Sequence, residues 1–332
     1  MRQVCWIALS AALTLGACGS ETTTAETFTA EAVTFERDFA EGANPAGLRD
    51  SGGLILSSTD SRFGGWSALE ISASGTRLLA ISDSASWMTA DLIYDETGRL
   101  SGATQLVIEP VRDGDGEPLR GMQADAEGLA DLGEGRYAVS FEREHRIEVY
   151  PLGEDWSGIN EARPAPFPAI PGAARLRANA GAEALARIGD TLWVAIEDPI
   201  VEGQPHTLWR YELTDLDATP VSRQVTLTPG YGLTALGGDG EGGLLVVERT
   251  WRRGVGNTIR LGRFEPGMLE DTGGPITPVA LATLDPGMVV DNFEAIAVAE
   301  VAGERRIFIL SDDNFNDAQS TLLLSFSWPE DD

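Results

Sequence analysis

Acidic residues stand at recurring positions in this 332-residue chain, and carboxylates that recur in step can be gathered around a cation. Five short apolar runs end in an acid: Asp83, Glu142, Glu197, Glu248 and Asp312. The run before each of them begins with Glu127, Glu183 or Glu294 in three cases and with Ser67 or Thr234 in the other two. Asp125 and Asn292 precede Glu127 and Glu294 by two residues, which puts them on the same side of an extended chain. Asp291 and Asp313 adjoin the set. So many like charges in one small space would force some to hold protons unless cations neutralise them. Hard oxygen donors in a flexible cluster suit Ca²⁺, and Mg²⁺ less well. His145 and His206 are the only histidines, so no set of soft or imidazole ligands exists for a transition metal. Arg143 follows Glu142 and Arg249 follows Glu248, each offering a planar fork of donors to phosphate or carboxylate.

The elements that must position these side chains follow from a repeat. Ser67-Ala68-Leu69, Glu127-Gly128-Leu129, Glu183-Ala184-Leu185, Thr234-Ala235-Leu236 and Glu294-Ala295-Ile296 each lead, through a Gly/Asp-rich turn, into a second apolar run. Self-similarity at a period of 51 to 60 residues, with short β-branched or aromatic runs and hairpin turns, is the signature of propeller blades. A sandwich explains the strands but not the repeat. The expected fold is therefore all-β, a single-domain β-propeller of five to six blades. The runs near Val33 and Gly53-Leu54-Ile55-Leu56 either complete the last blade or belong to a sixth. Arg163-Pro164-Ala165-Pro166-Phe167-Pro168 reads as an inter-blade connection. In an antiparallel hairpin the start of one strand lies beside the end of the next. With the first strand of each blade lining the channel, ten positions gather at one mouth and supply eight carboxylates and two hydroxyls.

The ends and the composition bound the setting. Met1-Arg2-Gln3, a short apolar run to Leu15, and Gly16-Ala17-Cys18 read as a lipoprotein signal over residues 1–17 with Cys18 lipidated. Residues 18–27 read as a polar tether, and residues 28–332 as the propeller. Gly19 after the Cys points to an anchor on the outer membrane facing the periplasm. The other cysteine, Cys5, lies in the signal, so the exported body has no disulfide. A net charge of −28 with no lysine at all excludes nucleic acid and anionic headgroups as partners. The expected partners are a small anionic substrate and, through the N-terminal lipid alone, a membrane; the body is expected to be a monomer. Trp66, Trp87 and Trp251 lie near the mouth, with core packing the expected role. Asp113-Gly114-Asp115-Gly116-Glu117 has the opening of a calcium loop but Ala124 at its twelfth place, and reads as a turn. No Gly-x-Ser-x-Gly elbow is present, and neither histidine has an evident serine partner. His145 reads as a polar surface residue past a strand end.

Asp125-Ala126-Glu127-Gly128-Leu129-Ala130, Ser140-Phe141-Glu142-Arg143, Asp291-Asn292-Phe293-Glu294-Ala295-Ile296 and, above all, Ser311-Asp312-Asp313-Asn314-Phe315-Asn316 resemble the phytase-like family, "esterase-like activity of phytase". The resemblance spans the chain after about Gly52 and implies an exported propeller that hydrolyses phosphate or other esters. The chain departs from phosphate-clasping propeller phytases in having no lysine. On this basis the expected function is a Ca²⁺-dependent phosphate ester hydrolase. Asp83, Asp125, Glu127, Glu142, Glu183, Glu197, Glu248, Asp291, Glu294, Asp312 and Asp313 form the expected cation set. Glu127, Arg143 and Arg249 are expected to serve the chemistry. Two alternatives stand beside it: a binding or scaffold lipoprotein with structural calcium, and a calcium-dependent lactonase or carboxylester hydrolase.

Overall fold

The computed structural model describes residues 27–33, 39–179, 181–271 and 273–329. The expected signal and Cys18 lie outside the described residues. Among those described, no helix is long and apolar enough to cross a membrane, and the one α-helix is the short Pro266–Glu270.

Five antiparallel blades form four sheets, because a parallel bridge between Gly52 and Leu100 joins the last blade to the first. Their innermost strands are Trp66–Ile71, Ala126–Gly133, Ala182–Ile188, Gly232–Gly238 and Asn292–Val301. Each inner strand touches the next, and Asn292–Val301 touches Trp66–Ile71, so the ring is closed. The second strands are Arg77–Ser82, Arg136–Phe141, Thr191–Ile196, Leu244–Arg252 and Glu304–Asp312. Their middles are buried on both faces. That explains why they read as continuous apolar runs rather than alternating ones: a neighbouring blade covers each face.

The N-terminal strands settle the blade count. Arg49–Ser58 pairs antiparallel with Thr321–Ser327, with Ile55 opposite Leu322, and so supplies the fourth strand of the last blade. Phe28–Val33 adds a fifth strand beyond it. Among the described residues there is no sixth blade. Both ends of the propeller thus meet in one sheet, which turns ring closure into ordinary strand pairing. The Pro-rich segment differs from expectation: Ala165–Pro166 is the short outer strand of the second blade, paired with Val149 and Glu148. Proline is tolerated there because an outermost strand has one edge without ladder partners.

Blade-to-blade packing supplies the core. Leu54, Leu69, Met88, Phe308 and Leu310 share one cluster between the last and first blades. Trp66 and Trp87 are fully buried, with Trp66 edge-on to Phe63 at 5.5 Å and Trp87 edge-on to Tyr150 at 5.6 Å. Burial of each such ring contributes on the order of 2–3 kcal/mol, and stability needs no disulfide.

Candidate functional site

Each inner strand carries a bulge near its mouth end. In the first blade Trp66 faces Ser82 and Ala68 faces Ile81, which leaves Ser67 as the extra residue. The same interruption leaves out Glu127, Glu183, Thr234 and Glu294 in the other four blades. A bulge breaks the alternation of a strand and re-aims a side chain. Here it turns these five residues towards the axis. A small residue follows each: Ala68, Gly128, Ala184, Ala235 and Ala295. At Gly128 the reason is visible, since a Cβ would lie 2.5 Å from Ser140 Oγ and 2.9 Å from Leu185.

The second strand of each blade delivers the residue just past the bulge's partner: Asp83, Glu142, Glu197, Arg249 and Asp312. These five and the five bulged residues all line one cavity of about 350 Å³ at the mouth, with Asn179 and Asn314 on its rim. Below them Leu69, Leu129, Leu185, Leu236 and Ile296 close the channel to about 10 Å³, no more than one water. The well thus narrows from its acidic mouth onto a ring of apolar side chains.

The fourth blade departs from the sequence-based expectation by one residue. Counted from its first residue, Leu244, the strand reaches the mouth at Arg249; Glu248 is the position before it and faces the other way. A one-residue slip on a strand exchanges its faces. Glu248 is buried and accepts hydrogen bonds from the Thr228 backbone N–H (2.9 Å) and hydroxyl (2.7 Å), with Arg260 at 3.4 Å. The mouth therefore holds seven carboxylates, two hydroxyls and one guanidinium, in place of eight carboxylates and two hydroxyls.

Three further acids stand beside the lining. Asp291 accepts from the Asn292 N–H (2.9 Å), the Ser320 N–H (2.9 Å) and Gln319 Nε2 (3.2 Å). Asp313 accepts from the N–H groups of Gly65 (3.1 Å) and Phe315 (3.0 Å) and from the Thr321 hydroxyl (3.0 Å). Both fasten loops. Asp125 is ion-paired with Arg143, which leaves Arg143 outside the lining. Arg249 lies 3.3 Å from Glu294 and 3.8 Å from Glu197. His145 differs from its expected surface position: it packs half-buried near Glu142 and the Gly181 backbone, its Nδ1 without a hydrogen-bond partner.

One arginine cannot balance seven acids, and the proton affinities record it. Burial, with the charges of Asp312, Asp125 and Asp313, pushes Asp83 up to about 7. Burial pushes Glu294 up to about 8 against the pull of Arg249, and Asp312 up to about 6. Glu127 is held well above the usual carboxylate range by burial and then by the charges of Glu294, Asp125 and Glu142, and Glu183 by burial and then by those of Glu127, Glu197 and Glu142. Asp125 and Glu197 are raised by burial, with Arg143 and Arg249 respectively opposing it. Asp125, Glu127 and Glu142 can each bring a carboxylate oxygen within 4.8 Å of the others. Two oxygens on one calcium ion, each at about 2.4 Å, are about 4.8 Å apart at most. The donor set and its spacing fit a hard divalent cation.

Fold and site together define a five-bladed β-propeller with an acid-lined well at its mouth. The family described as "Phytase-like: Esterase-like activity of phytase" matches residues 61–315, and the chain belongs to that family. No curated protein matches the sequence. Among solved structures, the Myceliophteria thermophila Cps50 (Swd1) β-propeller domain is similar at 11% identity and a TM-score of 0.42, covering 90% of this chain and 99% of that one. The RRP9 WD40 repeats follow at 12%, 0.38, 84% and 89%. The corresponding figures for U3-55K are 12%, 0.37, 83% and 90%.

Proposed function

We propose that the protein is a phosphate ester hydrolase whose well works with bound calcium. The observation that carries this reading is the concentration of seven carboxylates, several with strongly raised proton affinity, around a single guanidinium in one cavity at the mouth. Asp125, Glu127 and Glu142 would hold the cation, with Asp83, Glu183, Glu294 and Asp312 around them. Bound there, calcium would supply the positive site that attracts an anionic ester and Lewis acidity toward its phosphoryl group.

The chain's own groups have separate tasks. Arg249, fixed by Glu294 and Glu197, directs donors into the well to steady negative charge on the phosphoryl oxygens. Arg143 orients Asp125. Glu127, ionised once the cation is held, would accept the proton of the reacting water through its carboxylate. The apolar layer below keeps bulk water from entering behind the substrate.

Release of phosphate from p-nitrophenyl phosphate, measured with calcium and with a chelator, tests the reading. Calcium-dependent turnover is expected; equal rates in both would reject it. The lipid anchor at Cys18 and its outer-membrane site belong to the same proposal. Incorporation of labelled palmitate into the wild type and not into Cys18→Ser is the expected result, and equal labelling would remove the anchor.

A further inference from the structure

Phe315 occupies a position that neither the core nor the well's acids explain. It lies in the mouth-side loop of the last blade, 50% exposed, and both it and Asn314 adopt left-handed backbone, with φ of 49° and 50°. Such a conformation is costly for residues with a Cβ, more so twice in succession, and persists where the surroundings impose it. The imposing group is Asp313, whose carboxylate binds the Phe315 N–H, the Gly65 N–H and the Thr321 hydroxyl. Asp291 holds the far end of the same loop at Gln319 and Ser320.

The ring is also seated. Gly64 and Gly65 form a notch for it: a Cβ on either would lie within 3.0 Å of ring carbons, at 2.6 Å in the case of Gly65. The Asp83 carboxylate crowds the same point, so one edge of the ring stands beside a carboxylate of the well. Asn314, the preceding residue, lines the cavity itself. The other face of Phe315 is left to solvent. Further apolar side chains stand on the mouth side of other blades: Met122, Val201 and Val255 on loops, and Trp251 near the end of the strand Leu244–Arg252 instead of in the expected core, are all more than half exposed. Strand alternation puts Trp251, 64% exposed, on the same face as the well residue Arg249.

We infer that Phe315 is a specificity residue that contacts the leaving group of the substrate, and that the substrate class is monoesters bearing an apolar aryl or alkyl group. A polyhydroxylated or multiply charged leaving group would find an apolar ring and an apolar fringe where it needs hydrogen-bond donors. An aryl group stacks on Phe315 while its ester head reaches the acids below. The inference rests on the hydrolase reading for its reaction, and on the loop geometry for its residue.

Steady-state kinetics of phenyl phosphate against glycerol phosphate test it, in the wild type, Phe315→Ala and Phe315→Leu, with thermal melting as the folding control. The wild type is expected to favour the aryl ester in kcat/KM. That preference is expected to fall about tenfold in Phe315→Ala, chiefly through KM, and to recover in part in Phe315→Leu. Equal losses on both substrates, or none, would overturn the assignment. Calorimetric binding of phenylphosphonate and methylphosphonate, with calcium present, separates this inference from the hydrolase reading. Tighter binding of the phenyl compound, lost in Phe315→Ala, would uphold it even without turnover. Equal binding of the two would end it.

Discussion

The two ends of the propeller treat their acids differently, Glu70 excepted: it lies towards the far end, and burial pushes it up to about 8 although it accepts from the Asp131 N–H (3.0 Å). At the end away from the mouth, Asp239 is completely buried, yet it accepts from the N–H groups of Glu241 (2.7 Å) and Gly243 (2.8 Å) and from Arg263 Nε at 2.7 Å. Glu241 beside it is held low by its hydrogen bond to Arg305, and Asp95 and Asp155 are held low by hydroxyls of Thr97 and Ser157. At the mouth, Asp83, Asp125, Glu127, Glu183, Glu197, Glu294 and Asp312 are all raised, burial being the first cause each time. Asp60, near the mouth, is the exception that keeps to the rule, because Arg62 pairs with it. Glu70 apart, the acids named at the far end are satisfied by the chain itself. The mouth is left short of positive charge.

The largest effect is expected where satisfaction is complete. Asp239→Ala would leave Arg263 and two backbone N–H groups without their acceptor. Denaturant melts should show a loss of about 3–5 kcal/mol; a loss below 1 kcal/mol would mean the mouth and the far end do not differ as described.

A pH scan sharpens the same contrast. A group whose folded pKa is raised keeps its proton longer when folded. Between the ordinary values of 3.8 and 4.5 and the folded values of about 6 to 8, the folded state therefore binds more protons. Stability then falls as pH rises through that window. In chelator, melts at pH 5 and pH 8 should differ by on the order of 2 kcal/mol in favour of pH 5, and calcium should shrink the difference. A rise in stability from pH 5 to 8 in chelator would contradict the raised affinities.

Smaller effects follow. Glu127→Gln removes a charge from the well, so in chelator at pH 8 it should stabilise the fold by about 1 kcal/mol, whereas an unpaired acid that cost nothing would give no gain. At the exposed pair Arg136–Glu134, 3.4 Å apart, Arg136→Ala should change stability by less than about 0.5 kcal/mol. A larger change there would show that surface pairs carry weight that the comparison denies them.

How much of this was legible in the sequence differs between fold and site. The five frames, the hairpins and the strand-end acids were readable because apolar runs and Gly/Asp turns repeat in step. Closure by Arg49–Ser58 was readable only as one of two options, since a strand's partner lies across the whole chain. The site was legible in its members and less so in its geometry. A bulge has no composition of its own, so the turning of Ser67, Glu127, Glu183, Thr234 and Glu294 towards the axis emerges only from the register. The exchange of Glu248 for Arg249 had a signal: counted from Leu78, Tyr137, Leu192, Leu244 and Ile307, where the apolar runs begin, the same step reaches Asp83, Glu142, Glu197, Arg249 and Asp312. Asp291 and Asp313 looked like ligands because they adjoin the set, but their hydrogen bonds run to loop backbone and side chains. The role of Phe315 depends on a glycine notch some 250 residues earlier and on backbone angles that no residue type announces.

The central claim is that the well is short of positive charge and takes it from calcium. Titration of the metal-free protein with calcium in a calorimeter, repeated on Glu127→Gln, tests it most directly. Saturable binding to the wild type, with a melting temperature that rises as calcium is added and with both effects much weakened in Glu127→Gln, is the predicted result. Heats no larger than dilution, or identical binding by the two proteins, would contradict it.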